Sequence, residues 1–163
     1  MPRGTYARNS SVSVDKSKTE IESTLRRFGA SQFMYAWKDG AAIIEFVANE
    51  RRVRFMMKLP SKEEKEFTHR TVYGRDKKND PSLIEKLWEQ ACRQRWRALA
   101  LLVKAKLAGV EAGITSFEEE FLSHIVVPTG PGQTATAAEW LLPQIVSAYK
   151  GGGLKELPLL PSG

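Results

Sequence analysis

Residues 81–111 read PSLIEKLWEQACRQRWRALALLVKAKLAGVE, a stretch with no proline after its first position and a single glycine, Gly109. Asp80 before it suits an N-cap, and Pro81 suits the first helical position, where a missing N–H costs nothing. At about 100° per residue, Lys86, Arg93, Arg97 and Lys104 fall close to one line along such a helix. Ile84, Leu87, Trp88, Ala91, Leu99, Leu102 and Val110 fall on the opposite side. The segment is therefore expected to be a long amphipathic helix with an apolar face to bury and a basic ridge to show. Arg95 and Lys106 lie near the middle of that apolar face. An unpaired buried charge is costly, so each must find a carboxylate or meet another subunit, and both are assigned to an oligomer interface.

Working outward, the segments before the helix have strand character. Gln32–Trp37 (QFMYAW) is aromatic-rich, and Lys38-Asp39-Gly40 supplies a tight hairpin turn. Ala42–Val47 forms a second strand, and Ala48-Asn49-Glu50 turns into a third, Arg51–Leu59. There Val53, Phe55, Met57 and Leu59 alternate with Arg52, Arg54, Met56 and Lys58. Ser17 to Phe28 reads as a short helix with Ile21, Leu25 and Phe28 on one stripe, capped by Ser17 or Thr19 and ended by Gly29. Residues 61–80 are highly charged without periodicity and read as a long loop. After the long helix, Ser116 and Glu119 have capping-box spacing for a short acidic helix, Phe117–His124. Ile125 to Gln133 reads as a short extended piece and a Gly/Pro loop. Thr136 to Tyr149 forms a last helix with Trp140, Leu141, Ile145 and Ala148 inward and a kink at Pro143. The expected fold class is α+β: a short helix, a three-stranded antiparallel meander, the long amphipathic helix and two C-terminal helices. Residues 1–18 are expected to be a disordered basic tail with a short strand at Val12–Val14. Residues 19–150 form one α+β domain, and 151–163 a flexible Gly hinge and apolar tail.

Composition narrows the function. The chain has 163 residues, 42% hydrophobic, with a formal net charge of +6. That suits a globular domain with a real core. No apolar run reaches the length of a bilayer span, and the N-terminus lacks a signal-peptide core, so no membrane association is expected. A single cysteine, Cys92, fits a reducing, cytoplasmic setting. Charge is uneven. Residues 51–58 carry Arg51, Arg52, Arg54 and Lys58 with no acid, whereas residues 112–150 carry Glu118, Glu119, Glu120 and Glu139 against Lys150. Such asymmetry suggests a polyanionic partner or self-association.

Catalytic signatures are lacking. His69 and His124 have no second ligand at a binding spacing, Cys92 on a helix reads as core, and Gly130-Pro131-Gly132 lacks the phosphate-loop pattern. Neighbouring helical residues diverge, so Glu118-Glu119-Glu120 reads as a solvated first turn. No enzyme, metal or cofactor is expected. The basic rows are the stronger signal. Arg52, Arg54 and Lys58 on a strand and Lys86, Arg93, Arg97 and Lys104 on the helix are expected to border a positively charged groove. Tyr35, Trp37 and Trp96 lie near enough in sequence to stack bases there, which suits single-stranded nucleic acid. For each of the three aromatics taken singly, a place in the core is the stronger reading.

The segments RRFGASQFMYAWKDGAAIIEF, WEQACRQRWRALALLVKAKLAGVEAGITSFEEEFLSHIVVP and AEWLLPQI resemble a group of small unassigned bacteriophage and prophage proteins. The meander followed by a long helix is also similar, in architecture, to the single-strand annealing proteins of recombination, which assemble into rings and hold DNA between strand and helix layers. Arg52, Arg54 and Lys58, with Arg93 and Arg97, take comparable places. The helix–three strands–helix order also resembles a double-stranded RNA-binding domain, whose Gly-Pro-x-His loop and lysine cluster are missing here. The resemblance implies non-specific single-stranded DNA binding, with strand annealing in phage recombination or replication, by a homo-oligomer in the cytoplasm of a bacterial host. The alternative is an oligomeric interaction or inhibitor protein that reaches a host or viral protein through the tail Leu154–Pro161.

Overall fold

The computed structural model describes residues 11–152. Helix α1 covers Val14–Phe28. The meander follows as β1 (Gln32–Lys38), β2 (Ala41–Ala48) and β3 (Arg51–Lys58). Next come α2 (Lys65–Thr68), the hairpin β4 (His69–Val72) and β5 (Arg75–Lys78), and the long helix α3 (Pro81–Glu111). Helix α4 (Phe117–Phe121) runs into a tight turn, Leu122–His124. A second hairpin, β6 (Val126–Gly130) and β7 (Gln133–Thr136), leads to α5 (Ala137–Ser147). The architecture is α+β, with the sheet order β1-β2-β3 throughout antiparallel.

Local chemistry sets the ends of these elements. The Asp80 carboxylate accepts from the Leu83 N–H at 3.0 Å, and Pro81 takes the first turn of α3. The capping box forms at Ser116 and Glu119, and a second one at Thr136 and Glu139. Both meander turns need left-handed backbone: Asp39 and Gly40 at φ 48° and 72°, then Asn49 and Glu50 at φ 50° and 59°. That pattern matches the right-handed twist of a two-residue hairpin. Glycine pays nothing for it, whereas Glu50 does.

Helices α1 and α3 lie on one face of the meander. Ile21 and Leu25 of α1, with Trp96, Leu99, Ala100, Val103 and Leu107 of α3, pack on Ala42, Ile44, Phe46, Val53 and Phe55. Phe117 and Phe121 of α4 belong to the same core, with Phe121 edge-on to both Phe46 and Phe55.

Several expectations are corrected. Helix α1 begins at Val14, because Ser13 caps it by accepting from Lys16 N–H at 3.2 Å and Asp15 sits in its first turn. Residues 14–18, expected in a basic tail with a strand at Val12–Val14, are therefore helical. Ser17, expected as a cap, is buried inside the helix. Residues 61–80 are not a bare loop. Phe67 is buried, and Asn79 ties α2 to the hairpin by donating its side-chain amide to the Phe67 carbonyl at 2.7 Å. The 126–136 stretch pairs as a hairpin rather than ending in an open loop. The buried stripe of α3 is centred on Trp96 and Val103, so Leu87 and Leu102 stay exposed. Along α5 only Ala137 is buried; Ile145, expected inward, is exposed. The tail Leu154–Pro161 and the rest of the 151–163 segment beyond Gly152 lie outside the described residues, as do residues 1–10.

Candidate nucleic-acid interface

Strand parity decides where the basic residues go. Successive side chains alternate across a sheet, and Val53 and Phe55 point toward α3. Arg52, Arg54, Met56 and Lys58 therefore point away from it. The cross-strand partners Val47, Glu45, Ile43 and Ala41 share that outer face, followed on β1 by Gln32, Met34, Ala36 and Lys38. The strand row and the helix row accordingly lie on opposite sides of the sheet. The groove expected between Arg52, Arg54 and Lys58 and the ridge Lys86, Arg93, Arg97 and Lys104 does not exist.

The outer face has its own organisation. Glu45 is only 6% exposed although it stands on the open side. Its carboxylate accepts from the Nε of Arg52 on one oxygen and from the Nε of Arg54, at 2.6 Å, on the other. Burial pushes the Glu45 pKa up, but the hydrogen bonds and charges of the two arginines outweigh it and hold the carboxyl below the usual range. Arg54 extends a second contact, Nη2 to the Thr134 hydroxyl of β7 at 3.4 Å. Arg52 stays half exposed, and its terminal nitrogens have no partner among the described residues. The result is two guanidinium groups held by their inner nitrogens, of which Arg52 keeps an outer edge available to phosphate oxygens while Arg54 is mostly covered. Lys38 and Lys58 stand exposed at the far end of the same face. Met34 and Met56, 49% and 59% exposed, lie between. Glu45 is the one acid on this face.

Half of the helix ridge is neutralised where it stands. Arg97 pairs with Glu20 of α1. Arg93 donates to Gln90 at 2.7 Å and approaches Glu89 at 3.8 Å. Lys86 and Lys104 are exposed. Arg95 and Lys106 need no subunit. Arg95 donates to the Lys58 carbonyl at 3.0 Å, and Lys106 donates to the Glu120 carbonyl at 2.8 Å and its carboxylate at 3.0 Å. Their assignment to an oligomer interface loses its physical basis, because long side chains carry the charge from an apolar stripe to a polar partner.

The aromatic trio does come together, but on the helix side. Trp96 is 1% exposed and belongs to the core. Tyr35 packs on it at 5.3 Å between ring centroids, and Trp37 meets Tyr35 edge-on at 5.8 Å. The Lys18 ammonium lies over all three rings, 4.5 Å from Tyr35 and about 5 Å from the others. Desolvation raises the Tyr35 pKa far above its ordinary value, with the Asp15 charge adding to it. Only Trp37, more than half exposed, remains accessible. None of the three can stack a base held on the outer face.

Sequence parity alone carried the signal for the outer face, whereas the clasp at Glu45 depends on β2–β3 register. No group of three or more His, Cys, Asp or Glu among the described residues is placed to hold a metal ion, and no described helix is long and apolar enough to cross a membrane. Comparison with protein families, curated proteins and solved structures finds no match.

Proposed function

We propose that the protein binds single-stranded DNA without sequence preference on the open outer face of β1–β3. The supporting observation is the arginine pair, pinned through Nε to one buried carboxylate and flanked by Lys38, Lys58 and two exposed methionines. Preorganised guanidinium groups meet phosphates with little further loss of side-chain freedom. Met34 and Met56 offer polarizable, adaptable contact to bases of any sequence. The reading involves no chemical step. It has the protein act as a homo-oligomer on an extended strand, supporting annealing in phage recombination or replication in the cytoplasm of a bacterial host.

The test is fluorescence anisotropy with a labelled oligo-dT over a salt series. Each phosphate contact to a single strand contributes about −0.7 to the slope of log K against log[salt]. Arg52→Ala with Lys58→Ala should therefore flatten the slope by about 1.4 and weaken binding several-fold at low salt. Wild-type protein that fails to bind at low salt refutes the proposal.

A further inference from the structure

The hairpin β4–β5 carries its charge on one side. Residues opposite one another on paired strands share a face, and successive residues alternate. The register Arg70↔Lys77 and Val72↔Arg75 therefore puts Arg70, Val72, Arg75 and Lys77 on one face and Asp76 on the other. Asp76, the one acid of the hairpin, pairs with Lys65 of α2 at 3.3 Å. The first face thus holds three exposed cations and no acid. None of the three has a carboxylate partner among the described residues. Arg70 stands directly opposite Lys77, and like charges so placed destabilise a strand pair.

The turn between the strands is also unfavourable by itself. Tyr73 and Gly74 both take left-handed backbone, φ 49° and 74°. A two-residue turn of this kind favours Asn or Asp before Gly, and the meander turns place Asp39 and Asn49 at that first position. A tyrosine there bears the left-handed penalty and packs on nothing. Tyr73 is 100% exposed, with no ring or hydrogen-bond partner among the described residues. Repulsion on the ribbon face and strain at its tip are therefore uncompensated within the described fold. We propose that the hairpin is a separate contact for single-stranded DNA, with Arg70, Arg75 and Lys77 on phosphates and Tyr73 stacked on a base at the tip. Arg75 and Lys77 lie two residues apart on one strand, about 6.6 Å, close to the separation of neighbouring phosphates in an extended chain. Every base has a π-face on which an aromatic ring can stack. A duplex hides those faces between its base pairs, whereas a single strand presents them.

The hairpin shares its ligand with the reading of the outer sheet face but uses none of its residues. Fluorescence anisotropy on the full-length protein tests it with labelled oligo-dT and with a blunt duplex of the same length. Tyr73→Asn relieves the turn and changes no charge, so its urea midpoint should equal or exceed that of wild type. Its affinity for oligo-dT should nevertheless fall about fivefold or more, with duplex affinity unchanged. Attraction by net charge predicts no such loss. Arg70→Ala/Lys77→Ala removes two phosphate contacts and should flatten the salt slope on oligo-dT by about 1.4. Loss in the hairpin variants while Arg52→Ala/Lys58→Ala binds like wild type supports the hairpin and refutes the sheet site. Loss confined to Arg52→Ala/Lys58→Ala does the reverse. Wild-type affinity of Tyr73→Asn for oligo-dT, or an equal loss on the duplex, overturns the proposal.

Discussion

Replacing Glu45 by alanine removes the carboxylate that joins Arg52 to Arg54 and leaves two guanidinium groups facing the same vacated site. Breaking a buried ion pair by deleting one partner costs about 3–5 kcal/mol, because the surviving charge stays desolvated. Here the survivors differ. Arg54 is 17% exposed and has only the Thr134 hydroxyl left, whereas Arg52 is 47% exposed and can rehydrate. The lower end, about 3 kcal/mol, is therefore expected, which lowers Tm by about 10 °C for a domain of this size. Glu45→Gln keeps the shape but gives up the charge, and should lose about half as much. The pH dependence adds a second signature. The folded Glu45 pKa is depressed, so its contribution is complete above the unfolded carboxylate value and disappears as pH falls through the folded one. Urea unfolding from pH 7 downward measures this, and the wild-type and Glu45→Gln curves should converge at acid pH. A Glu45→Ala loss below about 0.5 kcal/mol, the level of an exposed pair, would refute the view that the carboxylate organises the arginines.

Glu50 adopts φ 59° in a two-residue turn, and glycine there removes the left-handed penalty; Glu50→Gly should raise stability by about 1 kcal/mol in urea. The Tyr35 hydroxyl is buried without a hydrogen-bond partner among the described residues, so Tyr35→Phe should be neutral or stabilising by up to about 1 kcal/mol by the same measurement. Burial beside Phe55 and the charge of Lys106 hold the His124 pKa below its ordinary value, against the opposing bond to Arg54. A depressed histidine protonates first in the unfolded state, so stability should fall as pH drops from about 6.5 toward the folded value. Replacing His124 with glutamine should flatten that part of the profile, above the range in which Glu45 titrates.

Much of the fold was legible because it depends on near neighbours in sequence. Asp80 and Pro81 announce the start of α3, and Asp39-Gly40 announces the first hairpin. The helix–hairpin at 65–78 was hidden because β5 (RDKK) is wholly exposed and offers no alternation. Its anchor is Asn79 reaching back to Phe67, a contact no pattern rule finds. The placement of Arg52 and Arg54 could have been taken further from the sequence. A helix that covers Val53 and Phe55 cannot also border the residues between them, since neighbouring strand positions face opposite ways. The expected groove failed on that parity. On α3 one residue is a 100° turn, enough to send Trp96 into the core while Arg97 reaches Glu20. The partners of Arg95 and Lys106 lie 37 and 14 residues away and could emerge only from packing.

These contacts also decide which cations are free to act. On α3, Arg93, Arg97 and Lys106 each have a carboxylate within 4 Å, while Lys86 and Lys104 have none among the described residues. On the outer sheet face, Arg52 and Arg54 share a single carboxylate, and Lys38 and Lys58 have none among the described residues. A basic protein attracts DNA through its overall charge as well as through a site, and the two causes separate in one comparison. Lys86→Ala/Lys104→Ala and Arg52→Ala/Lys58→Ala each remove two exposed cations, so they lower the net charge equally. Attraction by net charge alone predicts the same loss of oligo-dT affinity from both pairs. Binding on the sheet predicts that the helix pair barely changes the salt slope, while the sheet pair flattens it by about 1.4. Equal slopes for the two pairs would move the interaction off the sheet and leave the arginine clasp a structural device.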